Sequence, residues 1–264
     1  MKSDGKKARI QTIIKILQKN NGASIRELAL ELGMTEMTIR RDIRILEDNE
    51  IVKVYHGSVV INPEKSTPSG EPFYNICISG NIMGDEKDAI GRAAASMVED
   101  GDIIFIDSGS TTENMVKHLK PGLNISVVCF SLNILEEVQK RKVQKVIFGG
   151  GYYHQETKSF ECDEMLSFFR NMRVNKAFIS TVGVSADLGF TCVKEYEEKI
   201  KRTFMHNAGK RIILVDSSKF DSIKPRYFGS IEDADVIITD SKITPAWKRN
   251  IESRNVDIVI GKNS

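Results

Sequence analysis

Residues 103–112 read Ile103-Ile104-Phe105-Ile106-Asp107-Ser108-Gly109-Ser110-Thr111-Thr112. The first four form a short apolar run of strand type, and the rest make a small, hydroxyl-rich turn. Met115, Val116 and Leu119 follow at helical spacing. Strand, polar turn and helix together predict a βα unit, with its chemistry at the carboxyl end of the strand. Backbone N–H groups in such a turn form a nest, and the dipole of the following helix adds to its preference for an anion. Ser108, Ser110, Thr111 and Thr112 supply further donors, while Gly109 permits close backbone approach. A phosphate ester is the expected occupant. A plain βα turn whose Ser or Thr caps the helix is the competing reading.

The same alternation continues along the chain. Strand-like runs at 103–107, 125–130, 145–148, 177–181, 211–216, 236–239 and 256–260 alternate with helical stretches. A further helix begins near Asp85 and carries Ile90, Ala93, Ala94 and Met97. This predicts a mostly parallel α/β sheet, with an antiparallel strand allowed at an edge. Open sheets of this kind bind ligands beyond the carboxyl ends of their strands, so other strand ends join the candidate site. Phe148 leads into Gly149 and Gly150, where a backbone can approach a ligand closely. Thr181-Val182-Gly183 leads towards Asp187-Leu188-Gly189-Phe190-Thr191. Asp216 leads into Ser217-Ser218-Lys219-Phe220, where Lys219 either neutralises a phosphate or is a solvated loop lysine. Glu195 and Lys199 share a helix face at i, i+4 spacing, as a surface ion pair or a ligand contact. GxxxxGK[ST] and GxGxxG are both missing, which argues against a nucleotide or dinucleotide cofactor. His118, His154 and His206 show no spacing suited to a metal site or a catalytic triad.

Towards the amino end the composition changes. Asn62 to Asn75 holds Pro63, Pro68 and Pro72, three of the six prolines, among Ser66, Thr67, Ser69 and Gly70. Such a stretch disfavours helix and suits an exposed linker. The expected organisation is therefore a module over 1–61, a linker over 62–76 and an α/β domain over 77–264. Within the module, Ile10, Ile13, Ile14 and Leu17 predict a first helix over 6–19, ended by Asn20-Asn21-Gly22. Ser24-Ile25-Arg26-Glu27 reads as a capping box, opening a second helix that buries Ile25, Leu28, Ala29 and Leu32 and stops at Gly33. Thr35 is a natural N-cap for a third, on which Ile39, Ile43 and Leu46 keep helical spacing.

Two helices joined by a tight glycine turn, the second bearing exposed arginines, make a helix-turn-helix. Ile51 to Tyr55 and Val59 to Ile61, joined through His56-Gly57-Ser58, suit a hairpin wing. Double-stranded DNA is the partner this combination suits, since arginine bridges phosphates or the O6/N7 edge of guanine. Thr35, Thr38, Arg40 and Arg41 are expected near DNA, bonding phosphates as readily as bases. Arg44, one turn on, touches phosphate or pairs with Glu47 or Asp48. The wing would place Lys53, Tyr55 or His56 beside the DNA backbone. The competing reading is a three-helix scaffold with a solvated basic face.

Thr38-Ile39-Arg40-Arg41-Asp42, then Leu46-Glu47 and Tyr55-His56-Gly57, resemble the DNA-binding region of DeoR-type bacterial transcriptional regulators. Two departures are Gly57-Ser58 in place of a double glycine and Thr35 in place of a common serine. The remainder resembles the sensor domain of the same family. The matching features are Gly101-Asp102, the turn from Asp107 to Thr112, Phe148-Gly149-Gly150, Gly183, Gly189, Asp216-Ser217-Ser218-Lys219-Phe220 and Ile237-Ile238-Thr239-Asp240. The likeness runs from about Arg9 to Asp240. It implies a ribose-phosphate-isomerase-like fold used for sensing, with phosphorylated sugars or related metabolites as effectors. Asp107 to Thr112, Gly149, Gly150 and Lys219 are the positions carried over. Cys129-Phe130 stands where the family usually has Thr-Asn, and Phe160-Glu161-Cys162 replaces a glycine-containing stretch. Both bear on which effector is bound.

Composition bounds the rest. The 264 residues are 41% hydrophobic and 28% charged, enough to bury a sizeable core. A net charge of +2 is nearly neutral, and the positive excess is mild and confined to the first 60 residues. No apolar stretch has the length of a signal peptide or a membrane span, which predicts a cytoplasmic protein without membrane contact. Cys77, Cys129, Cys162 and Cys192 are widely separated and read as buried reduced thiols. The function expected is a repressor of a carbohydrate-utilisation operon, without catalytic residues, cofactor or metal. Its DNA-binding modules would be paired in a homo-oligomer, because paired half-sites raise affinity. Two alternatives are a regulator that needs no effector and a sugar-phosphate isomerase using Asp107, Glu195 and Lys219 for acid–base chemistry.

Overall fold

The computed structural model describes residues 9–10, 12–14, 16–17, 20, 22–48, 51–55, 58–61 and 83–262. It divides into two compact units, Met1–Ile82 and Met83–Ser264. The linker read at 62–76, residues 6–8 of the first helix, His56 and Cys77 lie outside the described residues.

In the first unit the described residues between 9 and 20 are helical. Ile10, Ile13, Ile14, Ile16 and Leu17 share one core with Ile25, Leu28, Ala29, Ile39, Ile43 and Leu46. Helix α1 (Ile25–Glu31) opens with the expected capping box. Ser24 Oγ accepts the Glu27 N–H at 3.1 Å, and Glu27 accepts the Ser24 N–H at 2.7 Å. Gly33, at φ +61°, turns the chain towards helix α2 (Glu36–Asp48). Strands β2 (Val52–Tyr55) and β3 (Ser58–Ile61) form the antiparallel hairpin. The pair Ala23–Ser24 (β1) adds a third strand against β3 that the sequence does not announce.

In the second unit all seven expected strands form one sheet. They are β4 (Ile103–Ile106), β5 (Ser126–Cys129), β6 (Lys145–Phe148), β9 (Val174–Ser180), β12 (Ala208–Leu214), β14 (Val236–Thr239) and β15 (Asp257–Ile260). Their order is β15-β14-β12-β9-β4-β5-β6, and every neighbouring pair is parallel. Successive side chains along a strand face opposite ways, so each strand feeds two cores. Ile104 and Ile106 join Val127, Ile212, Leu214 and Ile238 in one. Phe105 joins Val128, Ile179, Ile213 and Ile237 in the other. The first core is covered by α3 (Gly84–Ala95), α4 (Ser110–Lys117) and α5 (Leu132–Lys140). The second is covered by α6 (Asp163–Arg170), α7 (Glu195–Asn207) and α8 (Pro245–Glu252). The result is a doubly wound three-layer sandwich.

Antiparallel pairing occurs, but outside the main sheet rather than at its edge. β7 (Tyr152–His154) pairs with β8 (Ser159–Glu161), and β10 (Gly183–Ser185), β11 (Gly189–Cys192) and β13 (Arg226–Gly229) form a second small sheet. The strand order sets the site. From β4 the chain winds one way through β5 and β6, then returns to β9 on the other side of β4. The switch point thus lies between β4 and β9, where doubly wound folds bind ligands.

Candidate functional site

On α2 the apolar residues Ile39, Ile43 and Leu46 face inward, leaving Arg40, Arg41 and Arg44 exposed. Thr35 acts as the N-cap: its Oγ1 accepts the Thr38 N–H at 3.3 Å, and the two hydroxyls lie 3.0 Å apart. Arg40 is drawn to Glu36 at 3.3 Å, one turn back on the same exposed face. Asp42 is nearly fully buried and takes the Arg9 guanidinium at 2.5 Å, tying the leading helical segment to α2. Lys53 is half-buried on β2, whose last residue is Tyr55. The side chain of Tyr55 and the whole of His56 lie outside the described residues.

At the switch point Asp107 follows β4 and Ser180 ends β9. The Asp107 Oδ2 accepts the Ser180 N–H at 2.9 Å and its hydroxyl at 2.7 Å, and it also takes the Lys201 ammonium. Lys201 donates again to the Ser180 carbonyl at 2.9 Å and lies 5.4 Å from the centre of the Phe228 ring. Burial works against its charge, but the carboxylates of Asp107 and Glu197 outweigh that and hold the ammonium above its ordinary value. Gly109 follows at φ +148°, and a Cβ there would sit 2.8 Å from the Ser180 hydroxyl. Here glycine is required twice, by conformation and by space. Ser110, Thr111 and Thr112 open α4 and are all buried, and no side chain caps this helix. The Thr112 hydroxyl donates instead to the carbonyls of Asp107 and Gly109, at 2.8 and 3.0 Å, locking the turn.

Beyond β12, Asp216 accepts from the backbone of Ser218 at 3.1 Å, and Asp240, beyond β14, accepts the Ser217 N–H at 2.6 Å. These bonds fix the short turn that carries half-buried Lys219. Two lysines unnamed by the sequence reading feel its charge. Lys87, near the start of α3, is 2% exposed and 4.0 Å from Asp216. Burial lowers its pKa to about 8; Asp216 opposes the shift and Lys219 adds to it. Lys224 is lowered by burial and then by Lys219. Lys219 thus acts on both neighbouring lysines, gathering positive charge beyond β12.

Other expected residues have different surroundings. Glu195 is exposed at the start of α7 and pairs with Lys199 at 3.1 Å and Arg226 at 3.4 Å, the surface ion pair of the two readings. A Cβ on Gly149 would meet Met165 Sδ at 2.4 Å, so the missing side chain there is explained by the packing of α6. Gly150 is exposed with nothing near its Cβ direction. Glu197, two residues after Glu195, is instead buried, and its Oε1 lies 3.4 Å from the Ser108 hydroxyl. Cys129 and Cys192 are buried, whereas Cys162 is only half-buried and its sulfur caps α6 at the Met165 N–H. Phe130 stacks over Phe105, with ring centres 6.1 Å apart. Among the described residues no group of side chains is placed to hold a metal ion, and no helix is long and apolar enough to cross a membrane.

The chain is similar to known families and proteins. The DeoR-like helix-turn-helix domain matches residues 9–65, and the DeoR C terminal sensor domain matches residues 83–241. The Deoxyribose operon repressor of Escherichia coli (strain K12) is 26% identical over 232 residues, 88% of this chain and 89% of that protein. HTH-type transcriptional regulator GolR of Listeria innocua is 29% identical over 254 residues, 95% of this chain and 96% of its own. A solved ribose 5-phosphate isomerase A from Methanocaldococcus jannaschii matches with TM-score 0.38 and 19% identity, over 52% of this chain and 55% of that one. A helix-turn-helix with its arginines exposed, followed by a sensor domain matched over most of its length, places the chain in the DeoR family of DNA-binding transcriptional regulators.

Proposed function

We propose that the protein represses a carbohydrate-utilisation operon and that a phosphorylated sugar, bound at the strand ends of the second unit, changes its hold on operator DNA. The observation that carries this reading is the set of buried polar residues at the β4/β9 switch point, together with the lysines gathered beyond β12. The uncapped start of α4 offers the N–H groups of Ser110, Thr111 and Thr112 to an anion, with Lys219 and Lys87 supplying opposite charge. Arg41 and Arg44, with Arg40 and the Thr35–Thr38 pair, form the DNA-reading face, and Lys53, Tyr55 and His56 contact the backbone from the wing. Relatives named for deoxyribose-operon repression support the carbohydrate assignment.

The protein acts as a homo-oligomer, so that two reading helices engage paired half-sites and gain from effective concentration. A ligand shifts such an equilibrium only through different affinity for the DNA-bound and DNA-free states. The test is a fluorescence-anisotropy titration of the full chain on DNA from upstream of its own gene, repeated with a panel of sugar phosphates. At least one should release the DNA. Binding that no phosphorylated sugar alters removes the effector half of the proposal.

A further inference from the structure

From Lys117 to Lys145 six Lys and Arg side chains stand against two acids, Glu136 and Glu137. Part of that excess is answered locally: Lys117 pairs with Glu113 at 2.7 Å and Lys140 with Glu137 at 2.6 Å. Lys120, Arg141, Lys142 and Lys145 are exposed, and among the described residues none of them enters an ion pair. They gather where the chain enters two neighbouring strands. Residues 118–125 lead into β5 and residues 141–144 into β6, so both turns lie at the amino ends of the parallel sheet. The candidate effector site is at the opposite end. The two turns enclose a depression of about 140 Å³, whose polar lining is Lys120, Asn124, Arg141, Lys142 and Gln144, with no acid among its residues. Asp100 comes close but is occupied by the Asn124 N–H, at 2.7 Å.

Cations suit the carboxyl end of a helix, because its last carbonyls carry partial negative charge. That accounts for a cation after α4 or α5, but not for the residue at 142. Lys142 has φ +57°, and the Val143 N–H bonds back to the Val138 carbonyl at 3.3 Å, closing the end of α5. Glycine is favoured at such a position, and a side chain there is strained. A lysine standing against its own backbone preference points to use of its charge. Four exposed cations, with two side-chain amides that also donate, fit a row of phosphates. The chain belongs to a DNA-binding family. Duplex held by α2 is therefore presented to the rest of the same molecule at high effective concentration. An acidic protein has no such advantage.

We infer that the basic face formed by Lys120, Arg141, Lys142 and Lys145 binds the phosphate backbone of the duplex that α2 engages, as a second, sequence-independent contact. It adds affinity and salt dependence without sequence preference, because phosphates carry no sequence information directly. It is separate from the effector site and requires no ligand.

The experiment follows anisotropy of the full chain on two duplexes of equal length, DNA from upstream of its own gene and a scrambled sequence of the same composition. Salt is varied between about 50 and 200 mM. Combining Lys120→Gln, Arg141→Gln and Lys145→Gln should weaken binding to both duplexes alike, about tenfold or more at low salt. The slope of log affinity against log salt should flatten by about two to three, close to one for each lost phosphate contact. Lys142→Gly should flatten it by about one while raising Tm, since glycine relieves the strained position. Cations that serve only the helix ends predict the reverse for the triple variant, a lower Tm with an unchanged slope. An unchanged slope in either folded variant overturns the assignment, and so does a loss confined to the upstream duplex. Loss of poly-glutamate binding with DNA binding intact gives the face to an acidic polypeptide and overturns it as well.

Discussion

Lys201 and Asp107 are both almost wholly buried, and their pairing sets the chemistry around them. Removing one partner of a buried ion pair strands the other charge in a poorly polarisable interior. Lys201→Met should therefore destabilise the second unit by about 3–5 kcal/mol, measured by urea denaturation. Glu197 has the opposite character. Burial raises its pKa, with Lys201 working against the shift. A carboxyl raised in the native state penalises folding progressively as pH climbs from its unfolded value through its folded one. Glu197→Gln should thus be at least as stable as the unmodified protein at pH 8, with the two converging near pH 4; divergence towards low pH instead would contradict that environment.

Lys87 supplies a second pH signature. Its pKa, lowered to about 8, means that the free protein sheds this proton where an ordinary lysine keeps it. A bound dianion would restore the proton, so phosphate affinity should fall above pH 8, by at most about tenfold per pH unit. Folding stability should move the other way, rising between pH 8 and 10.5 as the buried charge is relieved. Glu197 and Lys201 also show why part of the site was illegible. The segment from Lys194 to Arg202 is so rich in charge that Glu195 and Lys199 look as good a pair as any. The helix buries Tyr196, Ile200, Phe204 and Met205, and positions 197 and 201 complete that stripe at i, i+3, i+4 spacing. The period was present in the sequence, but charge type outweighed it.

At the scale of elements, the seven strands of the parallel sheet were legible because a strand buried on both faces must be almost continuously apolar. The small sheets were not. β10 and β11 are three- and four-residue strands built on Gly183 and Gly189, and β7 carries exposed Tyr152 and Tyr153, so none shows the expected pattern. Their pairing is decided by tertiary contact rather than by composition. The helix-turn-helix was legible because its punctuation is local. Ser24→Ala removes the cap of α1 and should cost about 1 kcal/mol in thermal unfolding. Gly109→Ala is a harsher change, since the residue has φ +148° and no room against Ser180. It should perturb ligand binding well beyond any loss of stability.

At the scale of the whole molecule, one chain joins a reading helix to a sensor of the DeoR family. In the proposed mechanism, occupancy of the strand-end site governs what Arg41 and its neighbours do on DNA. Arg41→Ala should weaken operator binding by about 1–3 kcal/mol if it reads a base, with its ligand affinity unchanged. The most direct measurement follows release of operator DNA by anisotropy as a phosphorylated sugar is added, in parallel for the unmodified protein and for Lys219→Ala. DNA affinity without ligand should be equal, and release should be displaced at least tenfold towards higher concentration in the variant. Identical release curves for the two proteins would contradict it.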